Sequence, residues 1–173
     1  MEIHEILSGG YASILRVLEF TLEGLSVNDL NWQPKPDCNS IGWLVWHLTR
    51  WQDVQISAFM KEDQLWIKEG WHKKFNRPTD PKDTGGRMKP EDLPTFKSPD
   101  VNTLLGYHKA VLARSQKFFP TLSKLDLDKT VEGTPFKPPP KMGMMLIMVM
   151  SDGLQHAGQA SYVRGILQGF GWH

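Results

Sequence analysis

Apolar residues recur at helical spacing in four long stretches of the chain, separated by connectors rich in proline and glycine. In the first stretch, Glu2 to Leu25, the residues Ile3, Leu7, Ile14, Leu18, Thr21 and Leu25 form one stripe, widened by Ile6, Val17 and Leu22. Gly9 and Gly10 weaken its early part. The second stretch opens at Asn39 and Ser40, residue types that cap a helix N-terminus, and runs to about Met60. Ser40, Trp43, Leu44, His47, Trp51, Val54 and Ala58 share a face there, so His47 falls inside the apolar stripe. The third stretch runs from about Asp100 to Leu122 and places Leu104, Tyr107, His108, Val111, Leu112, Ser115, Phe118 and Phe119 on one side. The fourth runs from about Gly143 to Gln168, with a stop expected at Gly169, Phe170 and Gly171.

The connectors are irregular. Gln64 to His72 predicts a short helix bearing Trp66 and Trp71, and Asn76 to Pro99 predicts a long surface loop of the kind that forms lids or binding loops. Asp126 to Lys141, with its run of three prolines, predicts a second irregular segment. Nothing alternates with period two for long enough to argue for a sheet. The pattern predicts an all-α fold, a four-helix bundle forming one domain over residues 1–173. The 61–99 insertion between helices two and three predicts a crossover.

Composition narrows the function classes. The chain has 173 residues, 20 Lys and Arg against 19 Asp and Glu, and a formal net charge of +1. That balance provides no electrostatic footprint for nucleic acid or an anionic membrane. The longest apolar run, Met142 to Met150, is too short to cross a bilayer, and Glu2 and Glu5 stand where an export signal carries positive charge. With Cys38 as the lone cysteine, an intrachain disulfide is excluded and a cytoplasmic location is expected. Seven Trp and eight Met are high for this length. Some Trp belong to the core; others, with Trp66 and Trp71 from the insertion, are expected to wall an apolar pocket. Met142, Met144, Met145, Met148 and Met150 are expected to fill irregular core space.

The candidate chemistry lies on the second and fourth helices. Asp152 and His156 are four residues apart, so they stack on one helix face, together with Met145, Val149, Ala160 and Val163. A carboxylate in such a stripe is costly unless paired or bound to a metal. His47 is the third ionisable group in an apolar stripe. Together the three can ligate one divalent ion and leave positions open for exogenous ligands. The plainer alternatives are an i,i+4 ion pair for Asp152 and His156, and a hydrogen-bonded core residue for His47. His108 and Tyr107 fit core positions or a cavity lining. Gln155 and Gln159 flank the pair and can hydrogen-bond to its members. His72 is expected at the surface, and His4 and His173 near the termini are expected to be solvated.

Asn39 to Leu48, reading Asn-Ser-Ile-Gly-Trp-Leu-Val-Trp-His-Leu, and Asp152 to Gln159, reading Asp-Gly-Leu-Gln-His-Ala-Gly-Gln, resemble the DinB-like superfamily. This group includes the mycothiol-dependent maleylpyruvate isomerases and the bacillithiol transferases. Leu25 to Pro34 also looks like its first connector, and the resemblance spans nearly the whole chain. It implies a bundle connected up-down-down-up and a divalent metal, zinc or nickel, held by one His of the second helix and a pair on the last. His47 and His156 match ligand positions, and Asp152 stands where many members have His. It further implies a homodimer and a low-molecular-weight thiol cosubstrate.

Two function classes follow. One is a metal-dependent enzyme acting on a small molecule by thiol transfer, isomerisation or hydrolysis. The other is a non-catalytic metal- or ligand-binding module that acts through dimerisation.

Overall fold

The computed structural model of the chain describes residues 1–169. The expected stop at Gly169 to Gly171 lies in part, and His173 wholly, outside the described residues. Eight α-helices are present among them: α1 (Ile3–Leu22), α2 (Val27–Asn31), α3 (Ile41–Met60), α4 (Leu65–Lys68), α5 (Trp71–Lys74), α6 (Val101–Phe118), α7 (Lys124–Leu127) and α8 (Met142–Gln168). Two 3-10 turns cover Pro90–Thr95 and Phe119–Thr121. No strand occurs among the described residues; Thr130 and Lys141 form an isolated bridge. None of these helices is long and apolar enough to cross a membrane.

The ends of the long helices follow from local chemistry. Ser40 Oγ accepts from the Trp43 N–H at 3.3 Å and starts α3. Asp100 accepts from the Thr103 N–H at 2.8 Å and starts α6. Arg164 of α8 donates to the carbonyls of Phe20 at 2.9 Å and Thr21 at 2.6 Å, satisfying the open C-terminal end of α1. Helix α6 stops at Phe118, earlier than expected, because the Pro120 ring cannot continue the α-helical hydrogen bonding.

The four long helices pack in a ring: α3 against α8, α8 against α1, α1 against α6 and α6 against α3. Ile14, Leu18, Leu44, Leu48, Leu104, Val111, Ala157 and Ala160 meet in its interior. Gly153 allows α8 to come close to α1, since a Cβ there would lie 2.7 Å from Ile14 Cδ1. The apolar stripes run out before the helix ends do. Ile3 and Ile6 of α1 and Met144 of α8, expected in the core, are half exposed, because these positions in the first turns of their helices turn away from the packed interior.

The 61–99 insertion differs most from its expected form. Its helix breaks into α4 and α5 at Gly70, whose φ of +68° is left-handed. The segment after Asn76 is not merely a surface loop, since Gly85, Phe96 and Ser98 within it are buried. Phe96 packs on Trp46, with ring centroids 4.9 Å apart. Trp66 and Trp71 do not wall a metal pocket; both pack on Tyr107, at 5.6 and 5.2 Å between centroids. His72 is buried rather than at the surface, and its ring bonds the Trp66 carbonyl at 2.9 Å.

A buried polar network fastens this insertion to α3. Asp53 accepts from the backbone N–H of Leu65 at 3.0 Å and of Trp66 at 2.9 Å, and from Tyr107 OH at 2.8 Å. Arg50, wholly buried, lies 3.5 Å from Asp53 and donates to the carbonyls of Asp83 at 3.0 Å and Pro81 at 3.2 Å. Arg77 grips the Asp83 carboxylate with two hydrogen bonds, at 2.7 and 2.9 Å. Residues 81–84 are thereby held against α3.

Candidate metal centre

That pinned segment decides the orientation of His47. The ring Nδ1 donates to the Thr84 carbonyl, one residue beyond the Asp83 that Arg50 and Arg77 hold. Nε2 is then the nitrogen left to bind something else. Trp43, one helical turn earlier, stacks on the imidazole at 4.7 Å between centroids with 12° between planes. Gly85 makes this arrangement possible. Its φ is +83°, and a Cβ would stand 2.7 Å from Trp46 and 2.9 Å from Trp43, so a side chain would push the segment off the site.

On α8, His156 Nδ1 donates to Gln159 Oε1 at 2.7 Å, which turns Nε2 toward Asp152 Oδ1 at 3.5 Å. The His47 and His156 rings meet edge to face with centroids 4.9 Å apart. One ligand atom from each of His47, Asp152 and His156 lies within 4.8 Å of the other two, and all three residues are half-buried. Donors about 2.0–2.2 Å from a tetrahedral ion stand roughly 3.3–3.6 Å apart, a spacing that Asp152 Oδ1 and His156 Nε2 already have at 3.5 Å.

The donor set fits a divalent cation on two further counts. Asp152 Oδ2 is buried without a hydrogen-bond partner, a costly state that a cation relieves. Both imidazoles also donate their Nδ1–H to an oxygen acceptor, the Thr84 carbonyl and the Gln159 carboxamide. That arrangement fixes the tautomer and makes Nε2 a better ligand. The two rings titrate differently. Burial, chiefly, and the neighbouring His156 hold the His47 pKa below the ordinary value, although the Thr84 bond opposes them. For His156, burial also lowers the pKa, but the Asp152 and Gln159 hydrogen bonds and the Asp152 charge outweigh it and raise the pKa overall.

The other candidates lie elsewhere. Tyr107 is buried in the Asp53 network. His108 is fully buried and its Nδ1 donates to Thr49 Oγ1 at 3.0 Å; burial pushes its pKa down to about 4. Gln155 is exposed and donates to Ser151 Oγ at 3.2 Å. Sequence reasoning passed over Thr84, because a backbone carbonyl leaves no trace in residue type. It also passed over Arg50 and Asp53, although two opposite charges three apart within an apolar helix were a usable signal.

A solved structure described as the crystal structure of the conserved protein of locus from Enterococcus faecalis shares this architecture. It is 27% identical, with a TM-score of 0.88 over 98% of this chain and 99% of that one. No curated protein matches the chain. The family profile of the DinB superfamily matches residues 13–160, a span that takes in His47, Asp152 and His156. The chain belongs to the DinB superfamily.

Proposed function

We propose that this protein is a metal-dependent enzyme of the DinB superfamily, acting on a small molecule by thiol transfer, isomerisation or hydrolysis. His47, Asp152 and His156 hold a divalent ion, zinc or nickel, on a single-domain four-helix bundle connected up-down-down-up. The carrying observation is that one ligand atom from each of His47, Asp152 and His156 lies within 4.8 Å of the other two, beside an Asp152 Oδ2 that is buried without a hydrogen-bond partner. A divalent ion held by these three residues would supply Lewis-acid chemistry, lowering the pKa of a water or of a low-molecular-weight thiol. This chain's own contribution is positional. Thr84 and Gln159 aim the imidazoles, Trp43 shields one face of His47, and the Asp152 charge offsets that of the ion. A cytoplasmic location is part of the same reading.

Metal analysis of the purified protein, with calorimetric titration by zinc and nickel, tests the site. Affinity should fall as pH falls, and the sign is set by the two imidazoles. His156, with its raised pKa, is the first to gain a proton, starting above the ordinary histidine value of about 6.5. His47 follows at lower pH. A proton on Nε2 excludes the ion. In the metal-free protein, stability from His156⁺ beside Asp152 runs the opposite way. It is present below the unfolded pKa and is lost as pH rises through the raised folded one. Titrations at neutral pH and about 1.5 units lower that gave equal affinities would exclude these ligands. A screen of small thiols with electrophilic acceptors tests the reaction class. A metal-loaded protein inert in all of them would favour the non-catalytic module.

A homodimer is part of the same proposal. Ile3, Ile6 and Ile147, about half exposed, line an apolar cleft of about 390 Å³ between the starts of α1 and α8. Light scattering at low micromolar concentration should give twice the chain mass, and Ile147→Glu should return it to one. A monomeric wild type defeats the dimer.

A further inference from the structure

We propose that the cleft between the α2–α3 connector and α8 binds a neutral, mainly apolar small molecule, whose polar end reaches Gln159 beside His156. The cleft holds about 530 Å³, within the ~300–1,000 Å³ usual for small-molecule sites. Pro34, Leu44, Val163 and Ile166 supply apolar wall, and Asp37 is the one charged residue of the lining. That carboxylate is exposed and disfavours an anion. A cleft lined by Thr84, whose carbonyl holds His47, has a different character. It holds about 450 Å³ and carries Arg77, Asp80, Lys82, Asp83, Arg87 and Asp92, so an apolar body is better placed beside α8.

Gln159 joins the cleft to the metal group. Its Oε1 is occupied by His156 Nδ1–H, while its amide nitrogen makes no hydrogen bond among the described residues. Those two N–H bonds can donate to an acceptor on the ligand. The ligand class is therefore an apolar body ending in a carbonyl- or ether-type oxygen, held with that end next to His156. Its relevance to catalysis rests on the metal-site reading; occupancy of the cleft does not.

Gly158 permits a direct test. It lines the cleft, and a Cβ built there meets nothing within 4 Å. Gly158→Phe starts its side chain in open space at the cleft wall, where the ring is expected to compete with a bound molecule, and removes a residue unfavourable within a helix. The probe is the neutral fluorophore N-phenyl-1-naphthylamine, titrated into the full chain freed of metal by chelation. The wild type should bind one probe per chain with blue-shifted emission. Gly158→Phe should weaken that binding roughly tenfold or more, with a thermal midpoint no lower than wild type. Cys38 also lines the cleft and is the protein's single thiol. Saturating probe should therefore slow its alkylation by N-ethylmaleimide several-fold in the wild type, a readout that needs no variant. Equal probe affinity in the two proteins, or an unprotected Cys38, overturns the proposal. A change of mass in Gly158→Phe overturns it too, by marking the cleft as an interface between copies. Zinc titration of the same samples separates the two ideas: intact zinc binding without probe binding removes the cleft alone, and the converse removes the metal site alone.

Discussion

Replacing His156 by Ala should lower zinc and nickel affinity at neutral pH by more than about a hundredfold. Loss of an outer partner of a ligand typically costs 10–100-fold, and loss of a ligand exceeds that. The substitution also frees Asp152 Oδ1 from its neighbour at 3.5 Å, leaving a carboxylate with neither imidazole nor ion. Asp152→Asn keeps the shape and removes the charge, so it should fall in the same range. Gln159→Leu should cost about tenfold, because the imidazole loses only the acceptor that aims it. His108→Ala is the control. Its ring is buried against Thr49, so stability should drop while metal affinity stays unchanged. Calorimetric titration of the set decides the matter. Equal affinity for wild type and His156→Ala would mean that any metal sits elsewhere.

Asp53→Ala should be strongly destabilising, at about 3–5 kcal/mol. It leaves the wholly buried Arg50 guanidinium without its carboxylate, the situation in which broken buried pairs cost that much. It also strips the backbone N–H groups of Leu65 and Trp66 of their acceptor. Domain stability is about 5–15 kcal/mol in total, so the melting midpoint should fall by roughly 10 °C or more. Metal affinity should fall as well, because Arg50 holds the Asp83 carbonyl and so places the Thr84 carbonyl on His47. Asp53→Asn keeps part of the hydrogen bonding and should lose less. Chemical denaturation with zinc titration measures both effects. A cost under about 1 kcal/mol would mean that packing of Trp66 and Phe96, and not the ion pair, holds the insertion.

The helical content was legible because the four stretches are long and are separated by connectors rich in proline and glycine. Ser40 announced its helix because capping is local, settled by a side chain and a backbone N–H three residues on. His47, Asp152 and His156 stood out because ionisable groups in apolar stripes need a partner. The same logic, applied to Arg50 and Asp53, would have revealed the buried network, but an i,i+3 pair resembles an ordinary solvated one until its burial is known. Ile3, Ile6 and Met144 were misplaced for a related reason, since a stripe shows which face is apolar and not how far along the helix a neighbour covers it.

By itself, the sequence determined the four long helices, the cap at Ser40 and the three groups able to share an ion, all of which depend on spacing within a single helix or on residue type. Only the tertiary structure decided how those groups are aimed. The His47 tautomer depends on the Thr84 carbonyl, 37 residues away along the chain, and that carbonyl's place depends on Arg50, Arg77 and the closeness allowed at Gly85. Backbone acceptors have no residue identity, and long-range contacts have no period. Nothing short of folding the 61–99 insertion back onto α3 could show that an expected lid is the element that orients His47.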